Sequence, residues 1–130
     1  MQLATTHEGT PNGTPTIEPE LVLQSQRSGR NVLLVDVRDA DAFRDGHVSG
    51  ARSIPIHQLV TRAFEITSDR SAAIVIVSQR GDRAKVAASS LRLAGFTEVS
   101  MLAGGMDRWI ASGLPIEHTP PPSISSSSSS

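Results

Sequence analysis

The sequence predicts an α/β domain: a mostly parallel central sheet flanked by helices on both faces. Three observations carry this. Residues 31–37 (Asn-Val-Leu-Leu-Val-Asp-Val) and 72–77 (Ala-Ala-Ile-Val-Ile-Val) are short, continuous apolar runs rich in β-branched side chains, the pattern of strands buried on both faces of a parallel sheet. Stretches with apolar residues at helical spacing lie between such runs. Strand alternating with helix implies crossover connections, which lay helices over a parallel sheet.

In chain order, Thr16 and Ile17 offer an edge strand. Residues 19–28 read as a helix carrying Leu21, Val22 and Leu23, with Gly29 as its stop. The strand at 31–37 follows, then a short helix at 40–45 before Gly46. Residues 53–56 suggest one more brief strand. A helix over 58–64 places Leu59, Val60 and Ala63 on one side. The strand at 72–77 leads into the most pronounced helix, 83–94, where Val86, Ala87, Leu91 and Ala94 recur at helical spacing and Gly95 caps the end. Residues 98–102 form a third strand. Residues 106–112 form the last helix, closed by Gly113 and Pro115. There is no internal repeat.

The chain has 130 residues, one domain's worth. Residues 1–16 are rich in Thr, Gly and Pro, and residues 118–130 are a proline cluster followed by a serine run. Neither segment has the apolar surface to offset chain entropy, so both are expected to be disordered tails around a folded unit at 17–117. A unit of about 100 residues buries enough surface for one core and can stand alone as a monomer.

The net charge of −1 leaves no basic footprint for nucleic acid. Three Phe, one Trp and no Tyr supply few platforms for stacking bases. No apolar stretch reaches the ~20 residues of a membrane span. The N-terminus lacks the order of a signal peptide, so the cytoplasm is the expected location, with no membrane and no nucleic-acid partner. The four histidines are scattered without helical or turn spacing, which predicts no metal site, and nothing calls for a cofactor. The absence of cysteine removes disulfides, thiolate metal sites and thiol catalysis together.

In parallel α/β sheets, ligands bind outside the carboxyl ends of the strands. After Val77 the chain reads Ser78, Gln79, Arg80, Gly81, Asp82 and Arg83 before entering the long helix. The first turn of a helix leaves backbone N–H groups unpaired, and its dipole adds partial positive charge. A loop curling around that point makes an anion cradle, which Arg80 and Arg83 would reinforce. Gly81 suits a backbone position with positive φ. The same loop form also occurs where nothing binds. It is not a Walker loop, because no Gly-Lys-Ser/Thr follows. It is not a nucleophile elbow, because Ile76 and Arg80 stand where glycines would flank Ser78.

Four stretches, in order, resemble the rhodanese family. The first is Asp36-Val37-Arg38, followed by Gly46-His47-Val48-Ser49-Gly50-Ala51, similar to the family's Asp-Val-Arg and Gly-His-Ile-Pro-Gly-Ala. The second is Ser53-Ile54-Pro55-Ile56. The third is the six-residue loop itself. The fourth is Gly104-Gly105-Met106-Asp107-Arg108-Trp109, close to Gly-Gly-x-x-x-Trp, with Gly113-Leu114-Pro115 after it. The resemblance spans about residues 17–117. It implies a rhodanese-like fold and a family whose members move a sulfane sulfur from a donor such as thiosulfate to a thiophilic acceptor such as cyanide or a thiol. The sulfur rides as a persulfide on a loop cysteine, cradled by backbone N–H groups. Phosphatases that share this fold use a loop one residue longer, which argues against phosphate esters here.

At the family's cysteine position this chain has Ser78. A thiol ionises near neutral pH when a helix N-terminus assists it. A serine hydroxyl needs an adjacent base, and its oxygen cannot form a persulfide. Gln79 and Arg80 also replace the family's frequent Arg-Ser. Three readings follow: a family member that is sulfurtransferase-inactive and keeps an anion-binding loop; a thiosulfate-type sulfurtransferase whose nucleophilic cysteine was engineered to serine; or a non-catalytic module that binds a partner protein. The small-molecule partner implied by the resemblance is a sulfur-containing anion or thiol acceptor.

The remaining candidates have plainer readings. Asp36 and Arg38, at the end of a central strand, either add positive field at the anion site or form a structural pair tying the loop to neighbouring backbone. His47 and His57 are the candidate bases for a Ser78 triad, with Asp36 or Asp39 as a candidate orienter, and the Gly46-His47 turn is expected to spend its imidazole on backbone. Trp109 is expected to pack in the core. Gly104 and Gly105 are expected to permit a tight strand-to-helix turn.

Overall fold

The structure is a computed structural model that describes residues 15–29 and 32–118. The expected disorder of the tails therefore lies almost wholly outside the described residues. The elements are β1 (Thr16–Ile17), α1 (Pro19–Arg27), β2 (Val32–Asp36), α2 (Ala40–Asp45), β3 (His47–Val48), β4 (Arg52–Ser53), a 3-10 turn at Ile56–Gln58, α3 (Leu59–Ile66), β5 (Ala73–Val77), α4 (Asp82–Leu93), β6 (Val99–Leu102), α5 (Gly105–Ala111) and β7 (Ile116–Glu117). Five strands make one sheet in the order β1-β6-β5-β2-β4, and every neighbouring pair is parallel. Pro15 and Thr16 join this sheet against Met101, so order begins within the segment read as a tail.

The continuous apolar runs fill two cores, because successive side chains of a strand point to opposite faces. Val35, Ile74, Ile76, Val99 and Met101 pack against Leu59 and Ala63 of α3 and Ala84, Ala87, Ala88 and Leu91 of α4. Leu34, Val75, Val77 and Leu102 pack on the other side against Val22 of α1 and Met106 and Trp109 of α5. Trp109 is buried, and its indole N–H donates to the Pro115 carbonyl at 2.8 Å.

Three local expectations differ from what forms. Val86 was expected in the buried stripe of α4, yet it is 61 % exposed. The buried stripe is Ala84, Ala87, Ala88 and Leu91, at i, i+3, i+4 and i+7. Val86 lies two residues on from Ala84, about 200° around the helix, and so faces outward. The strand expected at 53–56 forms instead at Arg52–Ser53. Ile54 N–H still donates to Asp36 O at 2.9 Å, but Pro55 has no N–H to continue the ladder. Finally, β3 and β7 pair antiparallel as a separate two-stranded sheet. Strands of two residues carry no periodicity for a sequence reading to detect.

Candidate functional site

β2 and β5 are adjacent, parallel and in register to the end, with Asp36 opposite Val77. The Val37 N–H donates to the Val77 carbonyl at 3.0 Å. The residues that leave these two strands therefore flank one cleft of about 320 Å³. Ser78, Gln79, Arg80, Asp82 and Arg83 form one wall, and Val37, Arg38, Asp39 and Ala42 the other. The structure thus brings together most of the residues singled out in the sequence.

Ser78 is only 2 % exposed. Gly81 is the N-cap of α4 with φ 103°, the left-handed conformation expected for it. The Gly81 N–H donates to Ser78 Oγ at 2.8 Å, closing the loop on itself. From outside, α5 holds the loop: Met106 N–H donates to Ser78 O at 2.9 Å and Asp107 N–H to Gln79 O at 3.0 Å. These are first-turn amides of α5, which have no partner within their own helix. The C=O and N–H of a trans peptide point in opposite directions. With the Ser78 and Gln79 carbonyls turned to α5, the N–H groups of Gln79 and Arg80 face away from it. Among the described residues, neither N–H donates to another backbone group.

Arg38 is mostly committed elsewhere. Its Nε lies 3.0 Å from Asp36 Oδ1 and its Nη2 2.7 Å from Asp36 Oδ2. Nη2 also donates to Gly46 O at 2.8 Å, and Nη1 donates to Gln79 Oε1 at 3.1 Å. Asp36 is fully buried and does not line the cleft. The geometry is that of the structural pair, with the extra feature that Arg38 reaches the loop through Gln79. The Gln79 side chain spans from Arg38 to Asp107, donating to Asp107 Oδ1 at 2.6 Å. Arg80 and Arg83 are exposed, and among the described residues neither joins an ion pair. Asp39 caps α2 through a bond from the Ala42 N–H at 2.9 Å.

Among the described residues no imidazole serves Ser78. His47 Nδ1 is 2.8 Å from Phe43 O, and its ring stacks on Phe43 with centroids 3.7 Å apart. His57 is exposed, with Nε2 3.5 Å from Gln58 Nε2. Among the described residues a serine triad therefore has no histidine base.

The sequence reading missed two residues. Asp107 anchors Gln79, and no short motif signals that contact. Gly105 was read as a turn residue, and its φ of 62° fits. It also lies against the loop backbone, where a β-carbon would collide with Ser78 O. The Gly104-Gly105 pair was the available signal, because a second glycine often marks close backbone approach.

The family model described as Rhodanese-like domain matches residues 18–112. YqhL of Bacillus subtilis, an uncharacterized protein, is 40% identical over 80 residues, which is 62% of each chain, so this chain spans less than two thirds of that relative. Thiosulfate sulfurtransferase GlpE of Pseudomonas aeruginosa is 37% identical over 93 residues, covering 72% of this chain and 81% of the relative. The solution structure of the rhodanese-like domain of Alr3790 from Anabaena sp. superposes with a TM-score of 0.73 at 31% identity, covering 84% of this chain and 86% of that one. The motifs, the parallel sheet and these matches agree, and the chain belongs to the rhodanese-like domain family.

Proposed function

We propose that this rhodanese-like domain does not carry sulfur as a persulfide and instead binds a small anion in the loop from Ser78 to Arg83. One observation carries the reading: among the described residues the Gln79 and Arg80 N–H groups are turned away from α5 without a backbone acceptor, beside the cations of Arg80 and Arg83, which join no ion pair among those residues. Amides and cations converging on one cleft favour negative charge. The sulfur step fails at its central atom, because an oxygen stands where a thiolate must attack.

The expected ligand is a sulfur-containing anion such as thiosulfate, met by a cytoplasmic monomer. A titration of the whole chain with thiosulfate, followed by amide NMR, tests this. Saturable shifts at Gln79, Arg80 and Gly81 are expected, together with no thiocyanate produced from thiosulfate and cyanide. Unmoved loop amides would leave the interaction-module reading in its place. A second reading, a sulfurtransferase with its cysteine replaced by serine, is favoured by the 37% identity to a thiosulfate sulfurtransferase. It shares the cleft and differs at one side chain.

A further inference from the structure

We propose that the open edge of β2, at the end of the sheet away from the Ser78 loop, takes an extended acidic segment of a partner protein as an added strand. Backbone groups of successive strand residues point to opposite neighbours. The Val37 N–H reaches Val77 on the β5 side, and Asp36 O accepts from the Ile54 N–H on the β4 side. Asp36, Leu34 and Val32 therefore present their N–H and C=O groups toward β4. That strand is only Arg52–Ser53 and pairs with Val35 and Asp36 alone. Before Arg52 the chain turns off the edge, with the Ala51 N–H on Val48 O at 3.0 Å and Gly50 at φ 84°. The Leu34 N–H and the Val32 carbonyl are left on the open edge, and among the described residues neither has a backbone partner there. Leu34 is only 3 % exposed. A backbone donor in so buried a residue is costly to leave unpaired.

A cleft of about 340 Å³ lies along this edge, lined in part by Val32 and Leu34 themselves. Leu33 and Ile66 also line it. Both are half-buried and pack on the core that α3 and α4 cover, so one apolar side chain of an added strand would complete that cover. Gly50 and Ala73 are small and leave room for its backbone. Charge complementarity decides the kind of partner. Arg52 is the one charged residue lining the cleft, it is exposed, and among the described residues it joins no ion pair. A carboxylate beside the apolar residue would meet it, while main-chain bonds to Leu34 and Val32 hold the strand, as in recognition by strand addition. A second copy of this chain would bring its own Arg52 to the edge, like charge against like.

The test titrates the whole chain with the end-capped peptide Thr-Asp-Val-Asp-Val-Thr and follows the protein amides by NMR. Saturable shifts are expected at Val32, Leu33, Leu34 and Arg52 but not at Gln79, Arg80 or Gly81, with slower hydrogen exchange of the Leu34 N–H. Two further peptides, N-methylated at both valines or at both aspartates, each lose the N–H groups along one side of the strand. The one whose methyl groups face β2 should bind about tenfold more weakly. Arg52→Glu should weaken the acidic peptide roughly fivefold or more and favour Thr-Lys-Val-Lys-Val-Thr instead. No saturable shift at the edge, or equal binding of all three acidic peptides, overturns strand addition. An Arg52→Glu variant that keeps the preference of the unaltered chain overturns the acidic partner. Shifts at the same residues that grow with protein concentration without peptide, together with a dimer in analytical ultracentrifugation, make a second copy the occupant and overturn the proposal.

Discussion

Gly105 sits against the carbonyl oxygen of Ser78, and no side chain fits between them. A β-carbon at 105 would collide with that oxygen and lie 2.7 Å from the Gln79 carbonyl oxygen. The residue also holds φ 62°. The first turn of α5 is therefore pressed onto the loop backbone, and this contact aims the Gln79 and Arg80 amides.

Gly105→Ala is expected to combine left-handed strain with displacement of the loop, a loss of about 2–4 kcal/mol in urea unfolding. Gly113→Ala is the control. It has φ 73° and nothing within 4 Å of the new carbon, so strain alone applies, about 1–2 kcal/mol. Equal losses would mean that the close approach is unimportant. By the same logic Gly81→Val, at φ 103°, is expected to destabilise more than Ser78→Ala.

Arg38→Ala removes the partner of a fully buried carboxylate. Leaving Asp36 charged and uncompensated is expected to cost about 3–5 kcal/mol, read by the same denaturation. Arg38→Lys keeps the charge but cannot reach Asp36, Gly46 and Gln79 together, so an intermediate loss is expected. A neutral effect of Arg38→Ala would show that the pair is dispensable.

Arg83→Ala is expected to weaken sulfate binding by roughly twofold to fivefold, the range for an exposed charge-assisted contact. The remaining affinity should depend less on ionic strength, because one screened attraction is gone. Unchanged affinity at both low and high salt would remove Arg83 from the site.

Ser78→Cys restores the missing atom. With thiosulfate, the thiolate is expected to attack the outer sulfur, break the sulfur–sulfur bond, release sulfite and keep one sulfur as a persulfide. Intact mass spectrometry reads this as the gain of one sulfur atom, and cyanide should then remove it as thiocyanate. The unaltered chain should gain nothing. A variant that binds sulfate yet forms no persulfide would show that Gln79 and Arg80 have altered the loop beyond its nucleophile.

The sheet was legible because residues 32–36 and 73–77 are buried on both faces, which demands unbroken apolar runs, and because the helix patterns between them admit crossover connections. The edges were less legible. Val86 was placed inside α4 because apolar spacing alone does not reveal where a helix's centre of burial falls, and here four small or aliphatic residues starting at Ala84 set it. The pairing of β3 with β7 depends on contacts such as Ser49 with Glu117, 68 positions apart, which leave no local trace.

By itself the sequence determined the fold class, the family resemblance and the absence of a cysteine at residue 78, since each follows from local pattern or from one residue's identity. Only the tertiary structure decided that Arg38 is held by Asp36, that Gln79 leans toward Asp107, and that α5 turns the loop carbonyls outward. Those outcomes depend on which strand ends lie side by side and how closely one backbone can approach another, and distances across the fold are set by packing rather than by neighbours in the chain.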